Sequence, residues 1–233
     1  MRFVRFSFGG VIRPGVVIGD GVYDQPSRQL VAPLADVTLL PPCAPQVIVG
    51  VGRNYGRHGS PRFFLKTANS VIGHGTAVRY PKDLRRLEYE GELAVVIGQT
   101  AHEVPEESYR DYVLGYTCAN DITADDWRAD GQWWRAKSAD TFCPLGPWIA
   151  TDIDEPAKLR LRTVLNGKVV QETSIGELTM GVGALLAHIT RWITLRAGDV
   201  VLTGTPAGVG PLARGDVVDV DIDGIGTLTN TIA

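Results

Sequence analysis

Between Leu87 and Ile97 the chain reads Leu-Glu-Tyr-Glu-Gly-Glu-Leu-Ala-Val-Val-Ile, so three glutamates at alternate positions lead straight into an apolar run. Successive side chains of a strand point to opposite faces, which places Glu88, Glu90 and Glu92 on one face. Like charges stacked along a face repel, and the cost rises where the strand continues into a segment that must be buried. Such a strand needs either open water beside its acidic end or positive charge brought to it. A divalent cation meets the second need, because hard cations take carboxylate oxygens and keep waters that a substrate can displace. An exposed edge strand with solvated glutamates meets the first.

A second acidic cluster bears on the choice. The segment Gly115-Tyr-Thr-Cys-Ala-Asn-Asp121-Ile-Thr-Ala-Asp125-Asp126-Trp127 runs from an apolar strand into a helical turn. Asp121 falls at the strand end, from which a side chain reaches a site on the sheet; its alternative role is to cap the helix that follows. Asp125 and Asp126 belong to the first turn of that helix.

The bulk of the chain is ordinary for a globular protein. Its 233 residues are 44% hydrophobic and 21% charged, enough for one substantial core or one main domain with a small appendage. A net charge of −3 gives no basic footprint for nucleic acid. No apolar run approaches the roughly 18 residues that span a bilayer, and the Arg-interrupted start MRFVRFSFGG does not read as a signal peptide. Cys43, Cys118 and Cys143 are odd in number and widely spaced, which predicts no disulfide framework and a reducing, cytoplasmic setting.

Residues 1–45 alternate short β-prone runs (2–8, 15–18, 29–31) with Gly and Pro and end in the Pro41-Pro-Cys-Ala-Pro45 linker, predicting a small N-terminal β appendage to a main domain over 46–233. Further strands are predicted at 47–51, 62–66, 93–97, 161–165, 199–203 and 217–222. Helices are predicted over 105–113 and after Ser174-Ile-Gly-Glu177, which resembles a capping box; there Leu178, Val182, Leu185, Leu186, Ile189 and Ile193 recur at helical spacing up to a stop at Gly198. The expected class is α+β, mainly β, with a mixed or rolled sheet.

Taken together, several motifs resemble the fumarylacetoacetate hydrolase family, over nearly everything from Val47 onward. They are Val51-Gly-Arg-Asn-Tyr55; Phe63-Phe-Leu-Lys66 followed by Val71-Ile-Gly-His-Gly75; Tyr89-Glu-Gly-Glu-Leu93; Gly115-Tyr116 with Asn120-Asp121; Arg135-Ala-Lys137 with Pro144-Leu-Gly-Pro147; and Leu202-Thr-Gly-Thr-Pro-Ala-Gly-Val-Gly210. The resemblance implies a mixed β-roll, a homodimer, and Glu90, Glu92 and Asp121 as ligands of Mg²⁺ or Mn²⁺, with Ca²⁺ a possible substitute and Glu88 only a neighbour. It implies that Lys137 approaches the substrate or its enolate and that Thr205, with Gly204 beside it, binds a substrate carboxylate. Arg53, Tyr55 and Arg128 complete the expected substrate-binding set. The substrate class it implies is a small 2-oxo acid, chelated through neighbouring oxygens and activated through an enolate.

Two departures from the family pattern shape the functional expectation. Hydrolytic members resemble one another in a His followed three residues later by Glu on a lid that activates water; here His58 is followed by Gly59-Ser60-Pro61, so proline holds the glutamate position. Where the family often has Ala-Arg-Asp-x-Gln, this chain has Ala124-Asp-Asp-Trp-Arg128. An acidic residue replaces a basic one, and Arg128, Arg53 or Arg135 is left to restore positive charge. Both changes favour isomerisation or decarboxylation, similar to the 2-hydroxyhepta-2,4-diene-1,7-dioate isomerase branch, over acylpyruvate-type C–C hydrolysis; a non-catalytic binding protein on the same fold is a third reading. Trp133-Trp134 is expected to cover a pocket or a dimer contact, and His74 to shape a turn.

Overall fold

The computed structural model describes residues 1–56 and 59–233. Its strands are β1 (Arg2–Phe8), β2 (Val11–Ile18), β3 (Gly21–Asp24), β4 (Leu30–Pro33), β5 (Thr38–Leu40), β6 (Ile48–Gly52), β7 (Arg62–Lys66), β8 (Val71–Ile72), β9 (Leu87–Tyr89), β10 (Gly91–Ile97), β11 (Val113–Asn120), β12 (Thr123–Ala124), β13 (Cys143–Ala150), β14 (Arg160–Leu165), β15 (Lys168–Ser174), β16 (Val200–Leu202), β17 (Gly210–Leu212), β18 (Val217–Ile222) and β19 (Gly226–Thr231). The α-helices are α1 (Trp133–Ser138) and α2 (Val182–Thr190). The fold is α+β and mainly β, as expected from the sequence.

One twelve-stranded sheet runs β4-β3-β2-β1-β13-β11-β10-β16-β6-β7, with β5 added on β1 and β8 on β13. It is mixed: β16 lies parallel to β6 and β8 to β13. A three-stranded sheet, β12-β9-β17, and a four-stranded sheet, β15-β14-β18-β19, complete the roll. The N-terminal strands join the large sheet directly, since Arg2 and Phe3 of β1 pair with Ala150 and Ile149 of β13.

Strand β10 explains the arrangement. Leu93 through Ile97 are all fully buried, which an apolar run achieves only where both faces of the sheet are covered. Leu93, Val95 and Ile97 pack with Leu185, Leu186 and Ile189 of α2, while Ala94 and Val96 pack with Ile48, Leu145, Val200 and Leu202 on the other face. The apolar stripe of the second predicted helix therefore covers the sheet, as its spacing requires.

The helix itself is shorter than its pattern. Ser174 does accept from a backbone N–H, that of Gly176, but it caps a separate 3-10 turn over Ile175–Glu177. The chain then extends through Leu178 before α2 begins at Val182. Gly181 precedes α2, and the Asn54 side chain bonds both the N–H and the carbonyl of Met180, which lies outside the helix. Likewise 105–113 forms a 3-10 helix over Glu106–Tyr112, and Val113 already belongs to β11. The predicted strand at 15–18 extends back to Val11, and that at 29–31 is shifted to Leu30–Pro33.

Between β9 and β10 the chain leaves one sheet for another, with Glu90 at the break. Gly91 is required at this crossing. A Cβ there would lie 2.0 Å from Thr163 Oγ1, and the Gly91 N–H donates to Gln171 Oε1 at 3.1 Å. Gly91→Ala is therefore predicted to destabilise the fold by about 1–3 kcal/mol, the usual cost of forcing an extra methyl into packed surroundings. Chemical denaturation measures this, and an unchanged midpoint would show that the crossing has room.

Candidate metal centre and active-site cleft

Glu88, Glu90 and Glu92 are all buried, at 5%, 8% and 1% exposure, so the solvated-edge alternative does not hold. Strand alternation is broken at Glu90, and the three part company. Glu88 stays on the three-stranded sheet and accepts from Arg86 Nε at 2.7 Å. Glu90 and Glu92 turn to Asp121, and one oxygen from each of these three carboxylates lies within 4.8 Å of the others. Asp121 directly follows β11, and its N–H donates to the Glu90 carbonyl at 2.8 Å, which fixes the two acidic segments against each other. It caps no helix: the 3-10 helix Asp125–Asp130 starts after Ala124, without a side-chain cap. Asp125 and Asp126 occupy its first turn, as expected.

Two lysines sit inside this cluster. Lys137, in the last turn of α1, donates to Glu90 Oε2 at 3.0 Å and to Asp121 Oδ2 at 2.5 Å. Lys66, at the end of β7, donates to Asp121 Oδ1 at 2.5 Å with its side chain wholly buried. The Thr123 hydroxyl donates to Glu90 Oε1 at 2.7 Å, and the Gly204 N–H to Glu92 Oε2 at 2.7 Å. Each carboxylate thus has one oxygen tied back by the protein through Thr123, Lys66 or Gly204. The other oxygens of Glu90 and Asp121 share Lys137, and Glu92 Oε1 accepts no hydrogen bond among the described residues.

Charge and burial set the protonation pattern. Burial, reinforced by the Asp121 and Glu90 carboxylates, raises the Glu92 carboxyl well above its usual range. Burial would raise Asp121 too, but the Lys137 and Lys66 ammonium groups outweigh it and hold Asp121 below its usual range. Burial opposes the charge on Lys137, yet Asp121 and Glu90 prevail and raise it, so it is an ammonium at neutral pH. The proton held on Glu92 spares the buried site an excess negative charge; without it, three carboxylates would face two ammonium groups. The donor set is all oxygen and three-sided, which fits a hard divalent cation taking the place of that proton.

A cleft of about 540 Å³ opens onto this cluster, bounded by Glu88, Glu90, Lys137 and Thr205 with Arg53, Arg62, Phe64, Arg128 and Trp133. Of the expected substrate-binding residues, Arg53 and Arg128 line it directly. Arg128 pairs with Asp125, and its guanidinium lies 3.7 Å from Glu88, so much of its charge is already matched. Thr205 also lines the cleft, but its hydroxyl donates to the Gly91 carbonyl at 2.9 Å and accepts from Gln171 Nε2 at 2.9 Å. Gly204, at φ +104°, lies where a Cβ would meet Asn54 Cβ and the Val51 carbonyl at 2.9 Å, and its N–H is given to Glu92. Tyr55 borders a neighbouring hollow that shares Arg53 and Thr205 with the cleft; its buried hydroxyl has no partner among the described residues. His58 lies outside the described residues. Trp133 covers the cleft, while Trp134 is largely exposed. Arg135 pairs with Asp130 outside the cleft, and His74 accepts the Thr229 N–H at 3.2 Å.

Sequence reasoning missed four participants. Lys66 and Asn120, whose Oδ1 accepts the Glu90 N–H at 2.9 Å, stand within family-like motifs, but the sequence alone gives them no role. Thr123 and Gln171 carry no local signal, because their partners lie 30 or more residues away.

Comparison with known proteins places the chain in a family. A family model described as fumarylacetoacetate (FAA) hydrolase C-terminal matches residues 48–233. The chain is 36% identical over 242 residues to an oxaloacetate tautomerase of Bacillus subtilis, covering 94% of this chain and 78% of that protein. It superposes on a 2-hydroxyhepta-2,4-diene-1,7-dioate isomerase from Mycobacterium marinum with a TM-score of 0.93 and 40% identity, covering 100% of this chain and 98% of that one. A maleylpyruvate hydrolase from Sphingobium, solved with a manganese(II) ion and pyruvate, matches with a TM-score of 0.87 and 30% identity over 100% and 99% of the two chains. By sequence and by fold, the chain is a member of the fumarylacetoacetate hydrolase family.

Proposed function

We propose that this protein is a divalent-metal-dependent isomerase of small 2-oxo dicarboxylic acids, moving a proton between the enol and oxo forms. The observation that carries the reading is the buried Glu90–Glu92–Asp121 cluster with the Lys137 ammonium among its oxygens. Glu90, Glu92 and Asp121 would hold Mg²⁺ or Mn²⁺. When bound, such an ion supplies Lewis-acid polarisation of the neighbouring oxygens of a 2-oxo acid. Lys137, whose Nζ lies among the oxygens of Glu90 and Asp121, is the proposed hydrogen-bond donor to the oxygen at C2 on which negative charge builds. In a 2-hydroxy-2,4-dienoate a proton leaves the C2 hydroxyl and one is added at C3 or C5; no water is consumed. Pro61 at the position of the hydrolytic glutamate is in keeping with a reaction that needs no activated water. His58, on the β6–β7 connection, is the proposed proton carrier, its ordinary pKa lying near neutrality.

The relatives support proton transfer more than bond cleavage, since an oxaloacetate tautomerase and a dienedioate isomerase are both at least 36% identical to this chain. The maleylpyruvate hydrolase favours a second reading, C–C hydrolysis. NMR of products from acylpyruvates, oxaloacetate and a 2-hydroxy-dienedioate, with and without Mg²⁺, separates the two. Isomerised product without cleavage is expected; pyruvate plus a carboxylic acid from an acylpyruvate would establish hydrolysis instead.

Glu90→Ala and Glu92→Ala are each predicted to abolish metal binding and turnover, and full metal stoichiometry in both variants would remove the ligand assignment. Cation binding must displace the proton that Glu92 retains above its usual range. Metal affinity is therefore predicted to be weak near the ordinary carboxylate pKa and to climb as pH rises through the raised one, with proton release seen by calorimetry in buffers of different ionisation enthalpy. Affinity independent of pH across that window would show Glu92 already ionised. His58→Ala is predicted to slow isomerisation by less than about 100-fold, the lower end of general acid–base contributions; a much larger loss would make it the principal base.

A further inference from the structure

Strand β7 contributes Arg62 and Phe64 to the lining of the cleft and Lys66 to the acidic cluster. Arg62, Phe64 and Lys66 alternate along β7 and so share one face, with Phe63 turned to the other face and stacked on His188 at 4.7 Å. Lys66 reaches Asp121 in the acidic cluster, Phe64 lies beneath Lys137 with its ring centroid 4.8 Å from Nζ, and Arg62, exposed where Lys66 is buried, lines the cleft. The strand acts as a ruler: four residues separate the Cα atoms of Arg62 and Lys66 by about 13 Å. Phe64 is fixed on that ruler because Gly50, its partner across β6, leaves room for the ring where a Cβ would come within 2.3 Å. Trp133 meets Phe64 edge to face at 5.9 Å, giving the middle of the cleft an apolar wall.

Two other cations of the cleft, Lys137 and Arg128, are engaged. Lys137 serves Glu90 and Asp121, and Arg128 serves Asp125 beside Glu88. Arg62, whose Cα partner is Gly52, and Arg53 next to it form no ion pair among the described residues. A guanidinium presents parallel N–H donors that match a carboxylate.

We infer that Arg62 is the specificity-determining residue for the far carboxylate of the substrate: the ligand binds its 2-oxo acid end at the acidic cluster, crosses the Phe64–Trp133 wall with its carbon chain, and ends on Arg62. This rests on the proposed function for the inner end only. The outer end is tested by binding, with calorimetry of 2-oxoadipate and 2-oxohexanoate, which share a six-carbon chain and differ in a terminal carboxylate against a methyl, in the presence of Mg²⁺. The wild-type protein is expected to prefer 2-oxoadipate by about tenfold or more, the equivalent of one charge-assisted pair. In Arg62→Met the preference is expected to fall below about threefold while 2-oxohexanoate binding holds, and Arg62→Lys is expected to restore part of it. No preference in the wild type, a preference retained in Arg62→Met, or its loss only in Arg53→Met would overturn the assignment. A protein that shows the Arg62-dependent preference but isomerises no 2-oxo acid would support the anion position and refute the proposed reaction.

Discussion

The structure depends on keeping three carboxylates out of water at the meeting point of two sheets. Burying an ionised carboxylate is costly unless opposite charge and hydrogen bonds accompany it. Lys66 and Lys137 provide the charge, and Thr123 and the Gly204 N–H provide neutral donors. These four partners come from β7, α1, β12 and the loop after β16, so the cluster ties together elements remote in sequence. Three ionised carboxylates would exceed this compensation by one charge, a deficit that the Glu92 proton covers and that a cation would cover in its place.

The surrounding architecture is arranged to hold the deficit in place. Gly91 lets the chain cross between sheets against Thr163, and Thr205 and Gln171 then lock the Gly91 carbonyl and N–H. Asn54 binds Met180 and the Thr203 carbonyl, which fixes the loop carrying Gly204 and Thr205. Thr205, in this light, first positions the backbone between Glu90 and Glu92. The same bonds that stabilise the crossing thereby set the separation of two carboxylates.

Much of this was legible in the sequence. The E-x-E strand entering an apolar run exposed the electrostatic problem, and Asp121 at a strand end offered its third member. The stripe from Val182 to Ile189 gave the helix that covers β10. What sequence could not give was the break at Glu90, since strand alternation predicts that Glu88 stays with its neighbours while the structure leaves it on another sheet, paired with Arg86. Nor could spacing reveal that the helix after Ser174 is interrupted, because Met180, in the interruption, bonds to Asn54 more than a hundred residues earlier. Lys66 was hidden for the same reason: its partner Asp121 lies 55 residues away. The replacement of a family arginine by Asp125 was visible, but its consequence, the capture of Arg128, required the fold.

Hydrogen–deuterium exchange at C3 of a 2-oxo dicarboxylate, followed by proton NMR in D₂O, tests the central claim most directly, because exchange reports proton abstraction beside the oxo group whatever product is released. The account predicts that exchange at C3 of 2-oxoadipate is accelerated by the protein with Mg²⁺, abolished by EDTA, and lost in Lys137→Met. Exchange that persists unchanged in EDTA, or in Lys137→Met, would contradict a cation-dependent reaction centred on Glu90, Glu92, Asp121 and Lys137.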